Sequence, residues 1–170
     1  MKYVFTNGKI LSGTKDMQVQ EGQVILVENE RITELLPAEE AGKRNLTASG
    51  YEEIDLQGKY ILPGLINMHV HLAGNGKPQK KQRDNEALVK KIMSTKAIAY
   101  NMVCGFAKDE LYSGVTTIRT VGGLGDFDTR LRDDIATGKK PGPRILAANE
   151  GISVPGGHMA GSVAIAADSV

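Results

Sequence analysis

A chain of 170 residues is long enough for one ordinary domain, or a small domain plus part of another, with a core of real size. Its 41% hydrophobic and 24% charged residues exclude a disordered or membrane-embedded polymer. The 21 Lys and Arg against 20 Asp and Glu, net charge +1, leave no overall field for nucleic acid or an anionic membrane as partner.

The opening MKYVFTNGKIL lacks the apolar stretch and small-residue cleavage site of a secretory signal. No run approaches the ~18 apolar residues of a membrane span. Cys104, the only cysteine, forms neither an internal disulfide nor a CxxC clip. A cytoplasmic protein is the expectation. In the first sixty residues, short alternating or β-branched runs at Tyr3–Phe5, Lys9–Leu11, Gln23–Val27, Arg31–Leu36 and Glu53–Leu56 predict strands of a small antiparallel sheet. Asn7-Gly8 and Glu28-Asn29-Glu30 supply the turns, because Asn and Gly tolerate positive φ. Pro37–Gly50 has no periodicity and reads as a surface loop.

From Tyr60 the pattern changes. Ile61–Leu72 is nearly continuous apolar sequence broken by Asn67, His69 and His71, as in a strand buried on both faces. Gly74–Asp84 reads as a loop at its C-terminal end, where sites often lie. Apolar residues at Leu88, Ile92, Ala99, Met102, Val103 and Phe106 predict one amphipathic helix from Asn85 to Leu111, ended by Ser113-Gly114, with Cys104 packed within it and Lys90, Lys91 and Lys96 on its wet side. Val115–Val121 is a strand, Asp128–Thr137 a helix, Gly138–Pro143 a turn and Arg144–Ala148 a third strand. The Gly-rich loop Gly151–Gly161 follows, and Ala164–Val170 reads as the start of another helix. This alternation predicts a parallel α/β array whose strands are of the barrel type. Three strands cannot close a barrel of eight, so either the chain is part of a longer protein or copies complete one another, and self-association is expected from the open edges.

His69-Val70-His71 is the sharpest chemical signal. Alternation along a strand puts both imidazoles on one face, with Cα atoms roughly 6.5 Å apart, and two neutral imidazoles can converge on zinc or a related divalent ion. An isolated His-x-His is more commonly two hydrogen-bonded histidines. Here the pair stands at the C-terminal end of the first barrel-like strand, where barrel enzymes keep their sites. Asn67 has the same parity and is placed to hydrogen-bond a ligand or its surroundings. Gly122-Gly123-Leu124-Gly125 lacks both phosphate-loop spacings and reads as a strand-to-helix turn. Lys77, Lys80 and Lys81 read as solvated loop residues.

The string Gly58–His71, with Pro63-Gly64 leading into Asn67-Met68-His69-Val70-His71, resembles the signature of the amidohydrolase superfamily. Gly114–Arg119, Gly142–Leu146 and Gly156-Gly157-His158 are similar to the branch of imidazolonepropionase-like enzymes and metal-dependent Xaa-Pro dipeptidases. The resemblance implies an α/β fold, a small N-terminal β-sandwich over residues 1–62 and the first three β/α units of a (β/α)₈ barrel over 63–170, and hydrolysis of C–N bonds in a small amide or dipeptide-like substrate by metal-activated water, with one or two divalent ions, zinc foremost. It implies that His69 and His71 are metal ligands, and that His158 contacts substrate or polarises the scissile carbonyl.

Two departures stand out. The family usually has Asp where this chain has Asn67, and Met159-Ala160 follow His158 where Gly is common. The lysine, two histidines and aspartate that complete the family's site come from later strands, so the 170 residues alone are expected to be inactive. Two other readings stay open: a metal-binding or assembly module without turnover, and an inactive scaffold of the same fold.

Overall fold

Asn29 and Glu30, both at positive φ (47° and 69°), form a two-residue turn that folds one apolar run back on the next. The computed structural model describes residues 1–74, 87, 91–161 and 163–169. It divides into two units, Met1–Pro63 and Gly64–Val170.

In the first unit, β1 (Lys2–Thr6), β4 (Gln23–Glu28), β5 (Arg31–Pro37) and β6 (Glu52–Asp55) form a sheet in the order β5-β4-β1-β6. β2 (Lys9–Leu11), β3 (Val19–Gln20) and β7 (Tyr60–Ile61) form a second, in the order β3-β2-β7. The two sheets line opposite sides of an apolar cavity of about 350 Å³, bounded by Phe5, Ile25 and Leu35 on one side and Ile10, Leu11 and Ile61 on the other. The pairing is not wholly antiparallel: β1–β6 and β2–β7 run parallel. Asn7-Gly8 closes no hairpin, since β1 and β2 go to different sheets. Asn7 instead hydrogen-bonds the far end of the unit, its amide donating to Asp55 and its carbonyl accepting from Gly58.

The predicted loop after Pro37 contains one turn of helix, α1 (Ala38–Gly42), which buries Ala41 against Val4, Val24, Leu26 and Leu36. Five residues are too few to show a period, and the turn is held from outside by the Lys43–Glu39 and Arg44–Glu40 ion pairs.

In the second unit, β8 (Leu65–Val70), α2 (Lys96–Tyr112), β9 (Val115–Thr120), α3 (Phe127–Ala136) and β10 (Arg144–Leu146) follow the predicted alternation. The three strands pair in parallel in the order β10-β9-β8. Their helix-facing side is the core: Val70, Ile118 and Ile145 from the strands meet Val103 and Ala107 from α2 and Leu131 from α3. β8 is not buried on both faces as expected. Leu65, Ile66 and Met68 are exposed, because β8 is an edge of this sheet and the helices cover one side of it.

The predicted single helix from Asn85 is interrupted at Ser94-Thr95, where the Ser94 hydroxyl donates to the Lys91 carbonyl and Thr95 leaves helical geometry (φ −125°, ψ 80°). A serine hydroxyl competing for backbone groups is a sufficient reason for the break. The loop lysines Lys77, Lys80 and Lys81, and Lys90, lie outside the described residues. Cys104 is half-buried against the core, and burial raises its thiol pKa. The chain's last segment is not helical: Ala164–Ala166 is β12, pairing in parallel with β11 (Gly151–Ser153). Its Ala-Ile-Ala sequence fits either state, and the pairing with Gly151–Ser153 selects the extended one.

Candidate functional site

The strand ladder fails just where the histidines begin. The β8–β9 register slips between Asn67 and Val70, which removes His69 and Met68 from regular pairing. Two side chains make good the loss: the Asn67 amide oxygen accepts from the His69 N–H at 3.2 Å, and the Arg119 Nε donates to the Met68 carbonyl at 2.9 Å. A bulge of this kind re-aims a side chain at a strand end. Asn67 is thus part of the backbone that presents His69, a role any side-chain oxygen at that position can fill.

His69 and His71 are brought together. Their Nε2 atoms are 3.2 Å apart and the rings meet edge to face with centroids 5.1 Å apart. His71 Nδ1 lies 3.0 Å from the Gly122 carbonyl. A carbonyl only accepts, so in the neutral ring Nδ1 carries the hydrogen and Nε2 presents its lone pair. The His69 Nε2–H then donates to His71. Metal-binding histidines characteristically make this second bond through the other ring nitrogen.

The glycine run after β9 makes room for this. Gly122 has φ 149°, and a Cβ there would stand 3.3 Å from His71 Nδ1. A Cβ on Gly123 would stand 2.7 Å from Asp128 Oδ2. Asp128, in the first turn of α3, is 1% exposed, and among the described residues neither carboxylate oxygen has a hydrogen-bond partner of ordinary geometry. Burial pushes its pKa up, against the Thr120 hydroxyl, the Asn149 backbone N–H and the His71 ring, which favour the carboxylate. Its neighbour Thr129 is tied to the loop after β10: the Asn149 side-chain oxygen accepts from both its N–H and its hydroxyl, at 3.0 and 2.8 Å.

Asp128 does not stand out in the sequence, because an acidic residue in the first turn of a helix is ordinarily an exposed partner of the helix dipole. The Gly122-Gly123 pair is the one local sign that something presses on that turn. His158 is exposed in the turn between β11 and β12, and among the described residues no hydrogen bond or ring contact joins it to His69 or His71. Nor do the described residues hold a group of three or more His, Cys, Asp or Glu able to share a metal ion.

The model of the amidohydrolase family matches residues 60–168. A dihydroorotase of Trichlorobacter lovleyi is 33% identical over 81 residues, covering 48% of this chain and 17% of that protein. A solved structure from Bifidobacterium longum, described as a prolidase, superposes with a TM-score of 0.71 at 31% identity, over 99% of this chain and 34% of that one. A solved Xaa-Pro dipeptidase with bound methionine in the active site superposes with a TM-score of 0.70 at 30% identity, over 93% of this chain and 36% of that one. The chain therefore spans about a third of the length of these solved relatives.

Proposed function

The chain belongs to the amidohydrolase family, and from that premise we propose that it contributes the first two metal ligands, His69 and His71, to a hydrolase of C–N bonds in small amide or dipeptide-like substrates. One distance carries the reading. Two nitrogens bound to one tetrahedral zinc, each at about 2.0–2.1 Å, stand about 3.3 Å apart, and the two Nε2 atoms stand 3.2 Å apart. The donor chemistry fits as well, since imidazole suits zinc and its neighbours in the first transition row. A divalent ion held there would supply Lewis acidity toward a carbonyl oxygen and toward water.

The residues of this chain have three tasks in that reading. His71 is held by the Gly122 carbonyl with its Nε2 lone pair directed away from the turn. His69 would hold such an ion through its Nε2 lone pair, with its ring hydrogen on Nδ1 instead. His158, accessible in its turn, meets the substrate. Catalytic zinc sites ordinarily take three protein ligands, so further donors from elsewhere in the protein are part of the proposal.

The test is hydrolysis of a panel of dipeptides and N-acyl amino acids by zinc-loaded protein of the length of the solved relatives. Turnover abolished in His69→Ala and His71→Ala, and reduced in His158→Ala, is the expected result. No turnover in such a protein that nonetheless binds zinc through the pair would favour a binding module instead. That alternative has one observation behind it, the lack of a third donor among the described residues.

A further inference from the structure

We propose that Asp128 is a positioning residue for His71, its buried carboxyl bearing on the Gly122-Gly123 turn whose carbonyl fixes the tautomer and direction of the imidazole. The inference rests on the reading of His71 as a ligand, but it begins from an anomaly that needs no metal. A carboxyl group 1% exposed, neither of whose oxygens closes a regular hydrogen bond among the described residues, is a costly thing to keep. Core packing alone would be served better by an apolar side chain such as Leu at the same place.

What Asp128 touches explains its retention. Its carboxylate lies where a side chain on Gly123 would be, within 2.7–3.0 Å of that Cβ position. The next residue back, Gly122, holds His71 Nδ1 through its carbonyl. Thr120 at the end of β9 and the Asn149 N–H in the loop after β10 face the same carboxyl without closing a regular hydrogen bond. Asp128 thus stands where the ends of β9 and β10 and the glycine turn meet. α3 anchors it from below through Phe127 and Leu131, both buried. Moving the carboxyl moves the turn, and moving the turn frees His71 to take the other tautomer, which directs an N–H rather than a lone pair toward His69.

The experiment reads the tautomer directly in metal-free protein. Nitrogen-15 long-range correlation spectra of histidine-labelled full chain distinguish protonated from unprotonated ring nitrogens. His71 is expected to show a protonated Nδ1 and an unprotonated Nε2 in the wild type and in Asp128→Asn, whose amide fills the same space. In Asp128→Ala the two nitrogens should average. Should Asp128→Ala not fold, Gly123→Ala decides, because it pushes on the same turn while keeping the carboxyl, and should disturb His71 in the same way. With zinc alone as the probe, loss of such an outer partner should weaken binding about tenfold in Asp128→Ala, within the range of 10- to 100-fold usual for outer-shell groups, and leave Asp128→Asn unchanged. A wild-type His71 with a protonated Nε2, or a folded Asp128→Ala with an unaltered His71, overturns the inference. If the wild type binds no zinc yet its tautomer depends on Asp128, the functional reading fails and the positioning role stands.

Discussion

Asp128→Asn should make the protein more stable above pH 4 and less sensitive to pH. Burial raises the Asp128 pKa in the folded state above the ordinary value of 3.8. The sign follows from proton counting. Between 3.8 and the raised native value the folded chain holds a proton that the unfolded chain has lost, so stability falls as pH rises through that window and stays low above it. The size follows from the two carboxylate oxygens, both buried and, among the described residues, without a regular hydrogen bond: leaving a neutral buried polar group unsatisfied costs about 1–3 kcal/mol and a charged one more, and only that excess separates the carboxylate from the amide. The amide has no such charge to desolvate. The two proteins should therefore unfold alike in urea near pH 3.5 and diverge by on the order of 1 kcal/mol by pH 7. Far-UV ellipticity is the appropriate signal, since both longer helices, α2 and α3, lie in the unit that contains Asp128. A wild type more stable than Asp128→Asn at pH 7, or a difference that does not change with pH, would refute the account of this carboxyl.

Three other outcomes are expected. Leu131, fully buried between α3 and the sheet, should cost about 2–5 kcal/mol on change to Ala, measured by urea unfolding; a loss below 1 kcal/mol would mean that the core repacks around it. A Cβ on Gly64 would fall 2.0 Å from Thr116 Oγ1, so Gly64→Ala should force β8 from β9 and destabilise by about 1–3 kcal/mol or more, with partial rescue by Thr116→Gly. Asn67→Asp should leave the fold and zinc binding in place, because either side chain offers an oxygen to the His69 N–H, whereas Asn67→Leu should weaken zinc binding. Equal binding by Asn67→Leu and the wild type would separate the bulge from the site.

Much of the fold was legible because its signals are local. β-branched runs marked β4, β5 and β9, and the alternation of strands with α2 and α3 gave a parallel array. His-Val-His announced a pair of rings on one side, and the ring centroids, 5.1 Å apart with their Nε2 atoms 3.2 Å from each other, stand together there. What the residues did not disclose depends on partners far along the chain. β6 and β7 join their sheets in parallel to strands about fifty residues earlier. Ala164–Ala166 became a strand only because Gly151–Ser153 offered it a ladder. The break at Ser94 turns on one hydroxyl finding a carbonyl rather than water. Asp128 is the plainest case: its pattern is that of a wet helix start, and its burial is decided by Gly123 and by strand ends remote in sequence.

The central claim is that His69 and His71 share one cation. X-ray absorption at the zinc edge of the zinc-loaded chain measures this most directly. The account predicts two imidazole ligands at about 2.0–2.1 Å, with their signature lost when both His69→Ala and His71→Ala are introduced. Zinc that shows no imidazole scattering, or a spectrum unchanged by those substitutions, would contradict it.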